Sequence, residues 1–272
     1  MHEEKYPLIT DPRDSRYLSL RALHGEISRS RSGLFLVEGI RHVARAAEQN
    51  SSIQLLFVEP SILSNPFGQK LVRRLRKSGT PGIRLSSQLY RAFTTAAEPQ
   101  GIGAILSQQW SSIDAIKPSR DSLWLAVESI EQPGNLGTIM RTAEAAGVEG
   151  IILLGHGIDP WDPICVRASM GSLFSQRFIR CSIPEFADWA RRNHVSIFSS
   201  SPDGQLDYKV IHCRWPAVLA IGSERQGLSM SLLEVSDFTV RIPMRGQCDS
   251  INAAVAAGVL LFEMSSHRRR RA

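Results

Sequence analysis

Apolar and polar positions alternate along this chain with two different periods. From Leu34 onward, short apolar runs at 34–37, 53–58, 83–85 and 101–106 have the length of strands. Between them, 39–49 and 68–77 carry apolar residues at helical spacing, and a shorter helix ends at Phe93. Residues 107–121 contain Gln-Gln and Ser-Ser doublets and Lys117-Pro118 without periodicity, which marks a connection. The pattern then restarts, with strands at 123–127, 150–154, 177–179, 195–199, 217–221 and 238–242 and helices at 135–146, 162–171, 184–193 and 250–265. Such alternation predicts parallel pairing, because parallel neighbours need a crossover. The expected class is α/β, in five parts: an extension at 1–33 with a helix near 15–23, a small α/β domain at 34–107, a linker at 108–121, a larger domain at 122–266, and a tail at 267–272.

Charge adds a direction to this outline. The 272 residues include 32 Lys and Arg against 26 Asp and Glu, a net +6 that favours an anionic partner without specifying one. Much of the excess sits at 70–77 (Lys-Leu-Val-Arg-Arg-Leu-Arg-Lys) and 267–271 (His-Arg-Arg-Arg-Arg), and Arg13, Arg16, Arg21, Arg29 and Arg31 make the first segment basic. Guanidinium clusters of this kind suit phosphate, although a solvated end explains the tail equally well. Cys165, Cys181, Cys213 and Cys248 lie far apart with no metal-ligand spacing, so reduced thiols are expected and no metal site. Met1-His-Glu-Glu-Lys lacks the apolar segment of a secretory signal, and the longest apolar run, 253–262, is too short for a bilayer. A cytoplasmic protein without a membrane partner is the expectation.

Three segments carry candidate chemistry. After the 123–127 strand, Glu128-Ser-Ile-Glu-Gln-Pro-Gly134 leads into Asn135-Leu-Gly-Thr-Ile-Met-Arg141. Asn135 stands where a helix N-cap belongs, and Arg141, flanked by Met140 and Thr142, needs an anionic or carbonyl partner, which a surface ion pair could supply. After the 217–221 strand comes Gly222-Ser-Glu-Arg-Gln-Gly227, a loop whose glycines permit close backbone approach; Glu224 there is either a ligand-orienting carboxylate or a solvated turn residue. Ile242-Pro-Met-Arg-Gly246 then runs to Asp249-Ser-Ile-Asn252 and a helix opening Ala-Ala-Val-Ala-Ala-Gly. Ser250 is the expected N-cap, with Asn252 over the helix N-terminus, where anionic groups are favoured. No Gly-x-Gly-x-x-Gly follows an early strand and no Gly-Lys-Ser is present, which disfavours a nicotinamide-dependent oxidoreductase and a standard nucleoside triphosphate site.

In this order, Asn-x-Gly-(x)3-Arg, Gly-x-Glu-x-x-Gly and Ile-Pro-Met followed by Ser-Ile-Asn closely resemble the motifs of the SpoU/TrmH family of RNA ribose 2′-O-methyltransferases. Ile251, where the family has Leu, and Asp249 before the Ser are the departures. Val166-Arg-Ala-Ser-Met-Gly-Ser-Leu-Phe174 also looks like that family's intermediate segment, and Phe35-Leu-Val-Glu-Gly39 looks like the start of the substrate-binding domain of its rRNA-directed members. The resemblance implies a SPOUT domain with a deep trefoil knot and a mostly parallel sheet, a homodimer with the active site near the interface, and S-adenosyl-L-methionine as cofactor. It implies catalytic or positioning roles for Arg141, Asn135, Glu224, Ser250 and Asn252, and cofactor contacts near Gly222, Ile242, Met244, Ser250 and Ile251. Arg41, Arg73, Arg74, Arg76 and Arg167 become the RNA-contact candidates. Ribosomal RNA is favoured over transfer RNA because of the added N-terminal domain; the alternatives are a tRNA-directed enzyme and a catalytically silent RNA-binding or ribosome-assembly protein.

Overall fold

The computed structural model describes residues 6–155 and 158–268, so Arg269, Arg270 and Arg271 of the basic tail lie outside the described residues. The described residues form two compact units: those up to Gln108 together with Trp161–Phe174, and Gln109–Pro160 together with the chain from Ser175 onward.

The first unit contains β1 (Leu8–Ile9), α1 (Ser15–Ala22), α2 (Glu26–Ser32), β2 (Leu34–Glu38), α3 (Ile40–Glu48), β3 (Ile53–Val58), α4 (Pro66–Lys77), β4 (Gly82–Leu85), α5 (Ser87–Phe93) and β5 (Ile102–Ser107). Its strands lie in the order β1-β4-β3-β5-β2. Alternation alone predicts parallel pairs, but β5 runs antiparallel to both β2 and β3. Helix α4 shows how sequence builds this unit. Asn65 caps it by accepting from the Phe67 and Gly68 amides, and Pro66 takes the first position, where no amide hydrogen is needed. Gly68, Leu71 and Leu75 turn to the core, leaving Lys70, Arg73, Arg74 and Lys77 on the exposed face.

Trp161–Phe174, placed inside the 122–266 region by the sequence pattern, packs with this first unit instead. It contains α7, since α6 belongs to the second unit; α6 spans Pro133–Ala145 and α7 Pro163–Ala168. Trp161 stacks obliquely on Phe35 at 4.6 Å, and Arg29, only 2% exposed, reaches Asp162 at 3.4 Å while donating to the carbonyls of Leu23 and His24. A buried guanidinium with these acceptors holds the segment more firmly than its own short helix would.

The second unit runs β6 (Leu123–Glu128), α6, β7 (Gly150–Leu154), β8 (Arg177–Cys181), α8 (Ile183–Arg192), β9 (Ser196–Ser200), β10 (Leu206–Asp207), β11 (Ala217–Ile221), α9 (Met230–Glu234), β12 (Phe238–Arg241) and α10 (Ala253–Ser266). Its sheet has the order β10-β12-β9-β11-β6-β7-β8, and every pair is parallel. Every residue of β6, β7 and β11 is buried, which accounts for their unbroken apolar sequences. From β6 the chain builds outward to β7 and β8, then crosses to start β9 on the other side, and β11 later fills the slot between β9 and β6. That reversal is a topological switch point, where open α/β sheets bind ligands beyond the strand carboxyl ends.

Residues 108–121, polar enough to read as a linker, include Ile113 and Ile116, both buried in the core of the second unit, and the Trp189 indole donates to the Ile116 carbonyl at 3.1 Å. Helix α10 packs on α6 and touches β11. Short elements without clear periodicity (β1, α2, β10, α9) had no counterpart in the hydrophobic pattern. Among the described residues, no helix is long and apolar enough to cross a membrane, and no cluster of three potential metal ligands occurs.

Candidate active site

Because the second sheet is parallel throughout, the loops after β6, β11 and β12 leave from the same edge. Ile221 pairs with Val127, so Gly222 emerges beside Glu128 at the switch point. The loop after β11 is held by a reciprocal pair of backbone hydrogen bonds between Ser223 and Gly227, each 3.1 Å, and the Ser223 hydroxyl accepts from the Gln226 amide. A Cβ on Gly222 would lie 2.2 Å from the Gly227 carbonyl carbon and oxygen. Only glycine fits there, and Gly227 itself has φ +66°.

Two expectations about helix caps change here. Helix α6 starts at Pro133 with Gln132 at the N-cap position, so Asn135 lies within the first turn and caps nothing. Its amide nitrogen donates instead to Glu224 Oε1. Helix α10 is capped by Asn252, whose Oδ1 accepts from the amides of Ala254 and Val255 at 2.8 and 3.3 Å; Ser250 is exposed and outside the helix. The Asn252 side-chain nitrogen then donates to Asn135 Oδ1 at 3.2 Å. One polar chain, Asn252 to Asn135 to Glu224, therefore ties the three sequence segments together.

Glu224 is half-buried, and its Oε2 is sealed from solvent without a hydrogen-bond partner among the described residues. A buried carboxylate oxygen left unmatched is costly unless something else supplies a donor. Glu128, which ends the apolar β6 strand, is not among the site residues that the motifs suggest. Its buried carboxylate accepts from the Ser229 amide at 2.8 Å and so anchors the far end of the Gly222–Gly227 loop. A carboxylate closing an otherwise apolar strand was the available signal.

Arg141 stands apart from this chain of hydrogen bonds. It shares the outward face of α6 with Thr138, is exposed, and makes no hydrogen bond or ion pair among the described residues. The carbonyl or anionic partner expected for it is thus not found among the described residues. Ile242, Met244 and Ile251 all fall on the loop joining β12 to α10, with Met244 and Ile251 each 37% exposed. Thr142 approaches Gly258, so α6 and α10 meet near their starts at Asn135 and Asn252 and run side by side.

The RNA-contact candidates lie elsewhere, in the first unit. Arg73 and Arg74 are exposed on α4, and Arg76 is partly buried there. Arg41, on α3, and Arg167, on α7, line one cavity of that unit.

Residues 122–262 match the SpoU rRNA Methylase family model, and residues 18–104 match the MRM3-like substrate binding domain. The 23S rRNA (uridine(2479)-2'-O)-methyltransferase of Streptomyces viridochromogenes is 33% identical over 94% of this chain and 91% of its own length. A 23S rRNA (guanosine(2553)-2'-O)-methyltransferase from Bacillus subtilis is 25% identical over 94% of this chain and 98% of its own. The AdoMet bound rRNA methyltransferase from Sinorhizobium meliloti superimposes with a TM-score of 0.88 at 31% identity, covering 96% of this chain and 98% of that one.

Proposed function

The chain belongs to the SpoU rRNA methylase family, and from that premise we propose that it transfers a methyl group from S-adenosyl-L-methionine to a ribose 2′-hydroxyl of ribosomal RNA. The observation that carries this reading is the Asn252–Asn135–Glu224 chain at the switch point, with a carboxylate oxygen at its end and a guanidinium on α6 that both lack partners among the described residues. None of these side chains is needed for capping or packing alone, except Asn252.

The residues present fit the cofactor. Gly222 brings backbone close to the site without a side chain, Met244 and Ile251 offer exposed apolar surface to a flat ring, and Ile242 and Ser250 belong to the same loop. When bound, S-adenosyl-L-methionine supplies a methyl group made electrophilic by its sulfonium.

The chain's own part is orientation and charge. With S-adenosyl-L-methionine bound, transfer would join the 2′-oxygen to the methyl carbon, the electron pair of the broken carbon–sulfur bond would remain on sulfur, and the hydroxyl proton would pass to water. Arg141 keeps its proton in a protein, so it does not serve as the base; it holds an adjacent phosphate and stabilises the negative charge growing on the 2′-oxygen. Asn135 and Glu224 fix the geometry, Glu224 Oε2 being the acceptor free to take a hydrogen bond from the ribose or from Arg141.

A second copy of the chain would complete this site. Helix α10 is apolar almost all round, with Val255 and Phe262 more than half exposed and Ile251 and Met244 partly exposed on the loop that leads into it, a surface suited to a partner. Since α6 lies alongside α10, a partner there would bring groups near Arg141. The knot expected from the family agrees with the packing of α10 on α6 and β11. Ribosomal RNA as the substrate favours a cytoplasmic setting for the proposed reaction.

The test is Arg141→Ala in the full chain. Methyl transfer to ribosomal RNA falls by a factor on the order of 10²–10³, while S-adenosyl-L-methionine titration gives a nearly unchanged Kd. Equal loss of both would overturn the assignment of Arg141.

A further inference from the structure

The first unit contains a cavity of about 280 Å³ that the methyl-transfer reading leaves unused. Its walls are Leu36, Tyr90, Val166 and Met170 on the apolar side and Glu38, Arg41, His42, Gln100 and Arg167 on the polar side. The volume is that of a pocket for a small flat group, and the few polar groups converge on an otherwise apolar space.

His42 sits on α3 with only 7% of its surface exposed, yet its Nε2 makes no hydrogen bond among the described residues. Burial is the main influence that holds this imidazole below its ordinary pKa, with the Arg41 charge adding to it and the backbone of Glu38, Arg167 and Val166 opposing. A neutral ring with an unmatched nitrogen on a cavity wall is a costly arrangement unless something fills the cavity. Glu38 ends β2 four residues earlier. One of its oxygens accepts the Thr94 hydroxyl at 2.6 Å, which leaves the carboxylate with capacity for further donors. Gln100 is already committed, accepting from the Ile40 amide at 2.8 Å. Arg167 donates to the Thr95 carbonyl at 2.9 Å and so fastens the 94–96 loop over the cavity, while Arg41 is exposed at its edge.

We propose that this cavity binds one unpaired guanine base of the RNA substrate, with Glu38 and His42 reading its edge and Arg41 and Arg167 holding the neighbouring phosphate. The choice of base follows from the wall. Among the four bases only guanine offers two adjacent N–H donors, which suit a carboxylate, with a further N–H on its amino group that the bare nitrogen of a neutral imidazole can accept. Splaying out an unstacked base and reading it in a pocket is how proteins recognise RNA sequence, since the grooves of duplex RNA are poorly readable. The proposal rests on the rRNA methyltransferase reading for the source of that base. It adds a specificity element in the unit opposite in role to the catalytic one.

The experiment follows the His42 ring resonances by NMR in the full chain during titration with each nucleoside 5′-monophosphate and with inorganic phosphate. Guanosine monophosphate shifts them saturably, with the other three nucleotides at least about tenfold weaker, a difference of roughly 1.4 kcal/mol. Ala96→Trp, which fills the cavity from its rim, abolishes the shift and raises the KM for ribosomal RNA about tenfold without changing the Kd for S-adenosyl-L-methionine. Glu38→Gln keeps the side-chain shape and an acceptor for Thr94, and lowers guanosine monophosphate affinity about tenfold; it serves where the tryptophan variant does not fold. No shift with any nucleotide, equal shifts with all four, or the same shift with phosphate alone would overturn the proposal. Failure of the wild-type chain to methylate any RNA would instead sink the enzyme reading, and the nucleotide titration is independent of that result.

Discussion

In the seven-stranded sheet every strand points the same way, so the loops after β6, β11 and β12 gather at one edge and their side chains join in a single hydrogen-bonded chain. In the five-stranded sheet β5 runs against both neighbours, and the polar groups divide between the exposed basic face of α4 and a half-apolar cavity behind α3. The first arrangement concentrates polar groups at one point, as the proposed methyl transfer requires. The second spreads charge over a helix face and keeps a small enclosed space, which suits the proposed grip and selection of RNA. Parallel topology explains why Asn135, Glu224 and Asn252 meet although they are scattered along the chain.

Variants that exchange or remove these features sharpen the contrast. After Arg141→Ala, the next largest effect is expected at the hydrogen-bonded chain: Asn135→Ala or Glu224→Gln lowers the methyl-transfer rate by a factor on the order of 10–10², with thermal stability close to wild type. A stability loss in step with activity would show that the chain is a structural strut. Gly222→Ala comes next and acts differently, because the new methyl group has no room against Gly227. It should destabilise the second unit by about 1–3 kcal/mol and impair cofactor binding, read by denaturant unfolding and titration. Asn252→Ala removes a helix cap and a contact to Asn135, so it should cost about 1 kcal/mol of stability and also lower activity.

Changes on the first unit should leave chemistry at saturation alone. Replacing Lys70, Arg73, Arg74 and Lys77 with Gln weakens ribosomal RNA binding and makes its salt dependence shallower by roughly 0.7–0.9 per lost phosphate contact. An unchanged salt slope would remove α4 from the RNA-binding surface. The smallest effect is acid sensitivity. Burial lowers the pKa of both His24 and His42 from 6.5 in the folded chain, so the unfolded chain binds more protons as pH falls below that value. The first unit should therefore lose stability below about pH 6.5. Amide exchange in β2 and α3 would reveal it, and His42→Phe should reduce it.

Much of this was legible in the residues. The two runs of alternating strands and helices, the α/β class and the three motif segments follow from periodicity and resemblance, because buried parallel strands such as Ala217–Ile221 are uninterrupted apolar runs. The caps were read wrongly at both critical helices for a local reason. Pro133 starts α6 two residues before Asn135, and Asn252 outcompetes Ser250 because its oxygen reaches two amides of the first turn. Both shifts free or bind a side chain that matters to the site. The direction of β5 and the association of Trp161–Phe174 with the first unit depend on long-range contacts, including the buried Arg29, that no local pattern encodes. The unmatched nitrogen of His42 is likewise visible only once α3 and α7 stand on either side of it.

The most direct measurement incubates the full chain with tritiated S-adenosyl-L-methionine and ribosomal RNA from cells lacking the gene, then maps the label to single nucleotides. The account predicts label at one ribose 2′-oxygen, and none when that nucleotide is supplied as its 2′-deoxy form in a synthetic fragment. Label on a base, or transfer that persists without the 2′-hydroxyl, would contradict it.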